Sequence, residues 1–93
     1  MTSPDEVAKV LRSFFSGELL MTMPRPGRKR RIVLEHIVQR FEPGRRYSEV
    51  DVNLELRQVW PSDVAALRRY LVDAQLLERG GGEYWRIGGP VDE

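Results

Sequence analysis

The sequence predicts a mainly α-helical, α+β domain, and three observations support this prediction. Four segments carry apolar residues at spacings of three and four positions, which is the pattern of a helix with one buried face. The third and fourth segments are separated by a short turn, as in a helix-turn-helix. Three glycines at 80–82 stand between segments with aromatic and β-branched residues, which indicates a β-hairpin. Together these features predict a winged-helix-like helix-turn-helix with an extra N-terminal helix and a C-terminal β-hairpin.

The first helix is predicted to begin at Pro4. Ser3 is a favourable N-cap, proline suits the first helical position, and Glu6 completes a capping box. The apolar stripe that follows comprises Val7, Val10, Leu11 and Phe14. We expect this helix to end near Ser16, with Gly17 in the left-handed C-terminal conformation.

The second helix is predicted from Arg28 to Phe41, after a loop or short strand at 18–23 that ends before Pro24. Its apolar face comprises Val33, Leu34, Ile37, Val38 and Phe41. Four cations, Arg28 to Arg31, open this helix and oppose its macrodipole at a cost of a few tenths of a kcal/mol each. A phosphate or an acidic protein surface would offset that cost, so the four cations are a candidate binding site.

The helix-turn-helix is predicted between Ser48 and Ala74. Ser48 caps the third helix, with Asp51 three residues later as a weaker capping box. The buried stripe of this helix comprises Val52, Leu56 and Val59, and Ser62 is expected to cap the fourth helix. The inward face of the fourth helix is then Val64, Leu67, Leu71 and Ala74, and its outward face is Ser62, Ala65, Ala66, Arg69 and Asp73.

Composition limits the functional classes. The chain is long enough for one domain, predicted at 1–87, with a disordered tail at 88–93. It contains no cysteine, a single histidine (His36) and no metal-ligand spacing, so we expect neither an enzyme nor a metal site. The glycines at 80–82 lack the lysine and the flanking elements of a phosphate loop, so no cofactor is expected. No apolar run is long enough to span a bilayer, and we expect a cytoplasmic protein.

Charge is distributed unevenly along the chain. The segment from Arg25 to Arg46 contains eight basic and two acidic side chains, a formal charge of +6, whereas the remaining residues sum to −5. Such a distribution indicates a basic face for an acidic partner such as nucleic acid. A solvated helix end and loop in a protein from an Arg-rich proteome explain it equally well.

Several short motifs occur in a fixed order. A Pro and a basic cluster precede a helix that ends in Phe; Tyr-Ser-Glu, Asp-Val-Asn, Asp-x-x-x-Leu-Arg-Arg-x-Leu-Val and Leu-x-Arg…Tyr-Trp-Arg follow. Their positions are Pro24, Arg28 to Arg31, Phe41, Tyr47 to Glu49, Asp51 to Asn53, Asp63, Leu67 to Arg69, Leu71, Val72, Leu77, Arg79 and Tyr84 to Arg86. In this combination the chain resembles a bacterial domain-of-unknown-function family, number twenty eighty-seven in that series.

The resemblance implies a fold similar to winged helices. Members of that family occur alone or behind an ArsR-type helix-turn-helix in regulators, which implies a connection with transcription. The family has no established biochemical activity to carry over. The turn before Asp63 departs from the family pattern, because this chain has Trp60-Pro61-Ser62 where a polar turn of the His-Asp type is common. The angle between the third and fourth helices therefore stays open.

These observations favour a non-catalytic bacterial regulatory domain that binds nucleic acid, with DNA preferred over RNA. The residues expected to contact it are Arg28, Lys29, Arg30, Arg31, Arg45, Arg46, Ser62 and Arg69. Asp63 and Asp73 offset the cations of the fourth helix, which counts against base-specific readout. The alternatives are an interaction module for an acidic protein and an RNA- or ribosome-associated protein. The amphipathic first helix also leaves a homodimer open, although covering the core is its simpler role.

Three further expectations concern structural side chains. Arg68 is expected to pair with Glu49 or Asp51, and Asn53 to make a buried hydrogen bond or a contact. Tyr84 and Trp85 alternate faces along a strand, so one of them should be buried and the other partly exposed.

Overall fold

The structure, a computed structural model, describes residues 3–90. In chain order its elements are α1 (Pro4–Phe14), β1 (Phe15–Ser16), β2 (Leu19–Leu20), α2 (Arg28–Val38), β3 (Arg46–Ser48), α3 (Glu49–Arg57), α4 (Val64–Asp73), β4 (Leu77–Gly80) and β5 (Glu83–Arg86). From α2 onward the order is a helix, a strand, two helices and a β-hairpin, and α1 with its own small hairpin precedes it. None of the described helices has the length and apolarity needed to cross a membrane.

The last three strands form one antiparallel sheet in the order β3-β5-β4. Tyr47 of β3 is opposite Tyr84 of β5, which in turn is opposite Arg79 of β4. Residues opposite each other share a face of the sheet, so both tyrosines face the core, where they are buried. Gly81 and Gly82 have φ values of 59° and 80°, and two positive φ angles in a two-residue turn explain the glycines there. The predicted C-terminal hairpin is confirmed.

The core lies where α2, α3, α4 and the sheet meet. The residues with 1% or less of their surface exposed are Val33, Ile37, Val38, Phe41, Val52, Leu56, Val59, Leu67, Leu71, Leu76 and Leu77. The predicted apolar faces of α2, α3 and α4 are therefore the buried ones. The stripe of α1 also packs against this core, with Val10 buried and Phe14 partly buried. α1 therefore uses its apolar face within the domain, which is the simpler of its two expected roles. A homodimer through α1 stays a prediction.

The end of α1 differs from the prediction. The helix ends at Phe14, and its C-cap residue Phe15 is already extended, with φ −110° and ψ 147°. Gly17 has a φ of 61°, but it serves the tight turn between β1 and β2 rather than a helix terminus. Strands of two residues are too short to show alternation, so the sequence pattern could not separate this hairpin from a helix end.

The start of α4 also differs from the prediction. Its N-cap is Asp63, whose Oδ1 accepts a hydrogen bond from the backbone N–H of Ala66 at 3.0 Å; Ser62 lies one residue earlier, in the turn. A carboxylate at this position also complements the helix macrodipole. Ala66 is buried, with 8% of its surface exposed, because α4 packs against both α2 and α3. The expectation that Ala66 faces outward was wrong.

This capping assignment is testable by substitution. Asp63→Ala should lower the free energy of unfolding by about 1 kcal/mol, since the N–H of Ala66 loses its acceptor. Ser62→Ala should change it by less than about 0.5 kcal/mol. Urea unfolding of both variants measures the two changes, and an equal loss for Ser62→Ala would contradict Asp63 as the cap.

The segment after β5 is held by Arg86, a buried cation with 9% of its surface exposed. Its Nη1 donates to the carbonyl oxygen of Phe41 at 3.1 Å and its Nε to that of Gly88 at 2.9 Å. Its Nη2 donates to the carbonyl oxygen of Pro90. Residues 88–90, which the sequence placed in a disordered tail, therefore lie against the domain; 91–93 are outside the described residues.

Candidate nucleic-acid interface

The four cations at the start of α2 lie at a helix N-terminus that has no side-chain cap. The N-cap is Gly27, no side chain caps the helix, and its first turn contains no acidic residue. Three of the four cations, Arg28, Arg30 and Arg31, are nevertheless engaged within the protein. Arg28 forms an exposed ion pair with Glu6 of α1 at 2.7 Å. Arg30 donates from Nε to the carbonyl oxygen of Pro24 at 2.8 Å, and its guanidinium lies 4.5 Å from the ring centroid of Tyr70.

Arg31, one of the cations that oppose the dipole of α2, is bound to the end of another helix. Its Nη1 donates to the carbonyl oxygen of Ala74, which follows the last residue of α4, at 2.5 Å. Its Nε is also 3.6 Å from a carboxylate oxygen of Glu35. A cation at a helix C-terminus interacts favourably with the macrodipole. The charge that opposes the dipole of α2 therefore complements the dipole of α4, 43 residues away.

The remaining cations near this terminus are Arg25 and Lys29. Within residues 3–90 neither of them forms an ion pair or a side-chain hydrogen bond. Both line a groove between the end of α1 and the start of α2. Among the cations at 25–31, these two are the ones open to an external partner.

Arg45 and Arg46 lie elsewhere: Arg46 is the first residue of β3, and Arg45 precedes it. The guanidinium of Arg45 is 4.7 Å from the ring centroid of Tyr47, and that of Arg46 is 3.9 Å from the ring of Trp85. The indole of Trp85 also lies against Gly80, where an added Cβ would approach Cη2 to 3.1 Å. Tyr84 is buried and Trp85 is partly exposed, as alternation predicted, but the Trp85 ring is already stacked within the domain.

A second cleft lies between α4 and β4. It has a volume of about 450 Å³ and is lined by Ala65, Arg68, Arg69, Val72, Asp73, Arg79 and Tyr84. In the part of the chain that the structure describes, Arg69 and Arg79 form no ion pair, and Asp73 forms none either. Arg79 is opposite Tyr84 in the sheet and therefore on the face that looks toward α4. In the sequence, Arg79 stands out only as part of the Leu-x-Arg motif; the strand register assigns its face.

Arg68 has a different environment from Arg69, its neighbour in sequence. Its Nη1 donates to Oδ1 of Asn53, and its Nη2 is 3.8 Å from Oε1 of Glu49. The same oxygen of Glu49 accepts a hydrogen bond from the hydroxyl of Tyr84 at 3.1 Å. This network joins α3, α4 and β5. The predicted pairing of Arg68 with Glu49 and the predicted hydrogen bond of Asn53 are confirmed.

A family model matches residues 19–86, from β2 to the last residue of β5. The match covers most of the chain and leaves α1 and β1 outside it. The chain belongs to the bacterial family DUF2087. That family is described as an uncharacterized protein conserved in bacteria. Searches of curated proteins and of solved structures found no significant match to this chain.

Several residues that carry the DUF2087 resemblance have structural contacts. Glu49, Asn53, Arg68 and Tyr84 form the network between the helix-turn-helix and the hairpin. Arg86 holds the segment after β5. Arg69 and Arg79 stand in the same sequence motifs, and neither has an ion pair among residues 3–90. These two arginines are the motif cations that remain open to a ligand at the cleft.

His36 lies on α2 with its ring against the β1–β2 hairpin. Its ring lies edge-on to Phe15 of β1, with 5.3 Å between the ring centroids. Partial burial lowers the pKa of His36 below 6.5, and the positive charge of Arg40 lowers it further. The imidazole is therefore mainly uncharged at neutral pH. Within 3–90, no group of three or more His, Asp or Glu side chains is arranged to hold a metal ion.

Proposed function

We propose that this member of DUF2087 is a non-catalytic, cytoplasmic regulatory domain that binds DNA through α4 and the β4–β5 hairpin. The observation that supports it best is the pair Arg69 and Arg79, which line one cleft and have no ion pair within residues 3–90. In a winged helix-turn-helix the second helix of the motif enters the major groove and the hairpin lies beside it. The proposal therefore shifts the main DNA contacts from Arg28–Arg31 to α4 and the hairpin.

The outward side of α4 suits close approach to a duplex. Ala65 is small and exposed, Arg69 follows one turn later, and Ser62 is exposed in the preceding turn. An arginine on such a helix donates two hydrogen bonds to O6 and N7 of guanine or binds a phosphate. Arg79 on the hairpin is placed for the phosphate backbone, where contacts position a protein without reading sequence.

Two carboxylates limit the strength of this interface. Asp63 is engaged by the N–H of Ala66, but its negative charge stays at the helix end nearest the groove. Asp73 lies in the cleft with the two arginines. We therefore expect binding dominated by the phosphate backbone, with a dissociation constant of about 10⁻⁴ to 10⁻⁶ M at physiological salt.

The test is fluorescence anisotropy with random-sequence duplex DNA over a range of salt concentrations. The double variant Arg69→Ala/Arg79→Ala should bind about tenfold more weakly, and the slope of log K against log salt should become shallower by about 2. The double variant Arg25→Ala/Lys29→Ala removes the same charge from a different surface and should leave the slope unchanged.

The outcomes separate the possible surfaces. A loss of DNA affinity confined to Arg25→Ala/Lys29→Ala would place the DNA contacts at the start of α2, as the charge distribution along the sequence predicted. No binding of the wild-type chain at low salt would refute the proposal for DNA. Tighter binding to single-stranded RNA of the same length would reassign the ligand to RNA.

A further inference from the structure

A groove with a different set of lining residues runs between the end of α1, the loop at 22–27 and the first turn of α2. Its volume is about 450 Å³, and apolar side chains dominate its lining: Phe14, Met23, Pro24 and Pro26. We propose that this groove binds an acidic segment of a partner protein, with one apolar side chain of that segment seated between Phe14 and Met23. The proposal does not depend on DNA binding.

The apolar floor of the groove is held in place by the domain. Phe14 and Met23 are partly buried and pack against the core. The backbone N–H of Met21 donates to the carbonyl oxygen of Phe14 at 2.8 Å, and Arg30 holds the carbonyl oxygen of Pro24. Pro24 and Pro26 restrict the loop further, since each fixes its own φ angle. A groove that is already ordered loses little conformational entropy when a ligand binds.

Charge gives the groove its selectivity. Arg25, Arg28 and Lys29 line it together with the apolar residues, and no acidic side chain does. Arg28 is partly neutralised by Glu6, whereas Arg25 and Lys29 have no ion pair among the described residues. The complementary ligand therefore carries negative charge on both sides of an apolar anchor.

The apolar floor decides between a protein and a nucleic acid. Phosphate backbone contacts need cations and hydrogen-bond donors, and an apolar floor adds little to them. Protein interfaces combine a buried apolar anchor with a polar or charged rim. Moreover, the groove has no lining residue in common with the α4–β4 cleft. The two surfaces can therefore be tested with separate variants of the same chain.

The experiment is a selection of random peptides, displayed on phage, against the full chain. Enriched peptides should combine several Asp or Glu residues with an aromatic residue or leucine. One of them, synthesised with a fluorescent label, should bind about tenfold more weakly to Arg25→Ala/Lys29→Ala than to the wild type. Met23→Ala should also weaken it, through loss of the apolar contact. Arg69→Ala/Arg79→Ala, which loses the same charge, should bind it like the wild type. Circular dichroism confirms that each variant is folded.

Three results would overturn the proposal. The first is a selection that enriches no acidic peptides. The second is an equal loss of peptide binding in both double variants, which would indicate attraction by net charge without a defined groove. The third is displacement of the peptide by duplex DNA together with loss of DNA affinity in Arg25→Ala/Lys29→Ala. That result would assign the groove to nucleic acid, whereas loss of DNA binding alone in Arg69→Ala/Arg79→Ala concerns only the proposed function.

Discussion

Replacing Arg86 with methionine should lower the free energy of unfolding by about 3 kcal/mol, because three backbone carbonyl groups lose a charged donor. The carbonyl of Phe41 is the costliest of the three, since this hydrogen bond is buried. Methionine fills a similar volume, so the loss reports on hydrogen bonds more than on packing. For a domain of this size the midpoint of thermal unfolding should fall by roughly 10–20 °C.

Two further variants make this result interpretable. Arg86→Lys retains the positive charge but not the planar fork of donors. Its stability should therefore lie between that of Arg86→Met and that of the wild type. Arg79→Ala, on the same hairpin but exposed, should change stability by less than about 0.5 kcal/mol. If Arg86→Met were as stable as the wild type, the three hydrogen bonds would be replaceable by water and the segment at 88–90 would contribute no stability.

The second large effect is expected at Arg68. Arg68→Met should lower the free energy of unfolding by about 2 kcal/mol, most of it from the hydrogen bond to Asn53. The ion pair with Glu49 contributes less, because the two groups are 3.8 Å apart and the side chain of Glu49 is 55% exposed. Urea unfolding provides the measurement. The matched control is Arg69→Met, the exposed neighbour on α4, whose stability should equal that of the wild type.

A double-mutant cycle isolates the hydrogen bond. Asn53→Ala and Arg68→Met should couple by about 1 kcal/mol or more, because each removes the same interaction. Glu49→Gln keeps an acceptor for the hydroxyl of Tyr84 and should cost less than Asn53→Ala. Additive effects of the Asn53 and Arg68 substitutions would show that the two side chains act independently.

The helices of this fold could be predicted from the sequence because their causes are local. Ser3 and Ser48 each accept a hydrogen bond from a backbone N–H three residues later, so a short window contains the whole interaction. The spacing of Leu67 and Leu71 likewise identifies the buried face of α4 without any tertiary contact. The pair Arg68 and Glu49 was also predictable, since a tight turn brings the two helices together.

The candidate site could not be predicted to the same extent, since its residues are sorted by contacts between distant segments. The sequence pattern assigns no partner to Arg31, whereas the packing of α4 brings the carbonyl oxygen of Ala74 within hydrogen-bond distance of it. The sequence pattern assigns no role to Arg79, whereas the strand register places it on the face of the sheet toward α4. At the start of α4, Ser62 and Asp63 are both good N-caps, and the choice between them depends on the turn at Pro61, whose geometry the residue pattern does not specify.

The strand order has a consequence for how the chain folds. β5 is the last strand in sequence but the middle one in the sheet, so β3 has no partner until residues 83–86 arrive. The β4–β5 hairpin is local and closes rapidly, whereas docking it onto β3 closes a loop of more than thirty residues that contains α3 and α4. We therefore expect the helices and the hairpin to form early and the addition of β3 to complete the domain. Substitutions at the β3–β5 pairing should then raise the unfolding rate more than they lower the folding rate.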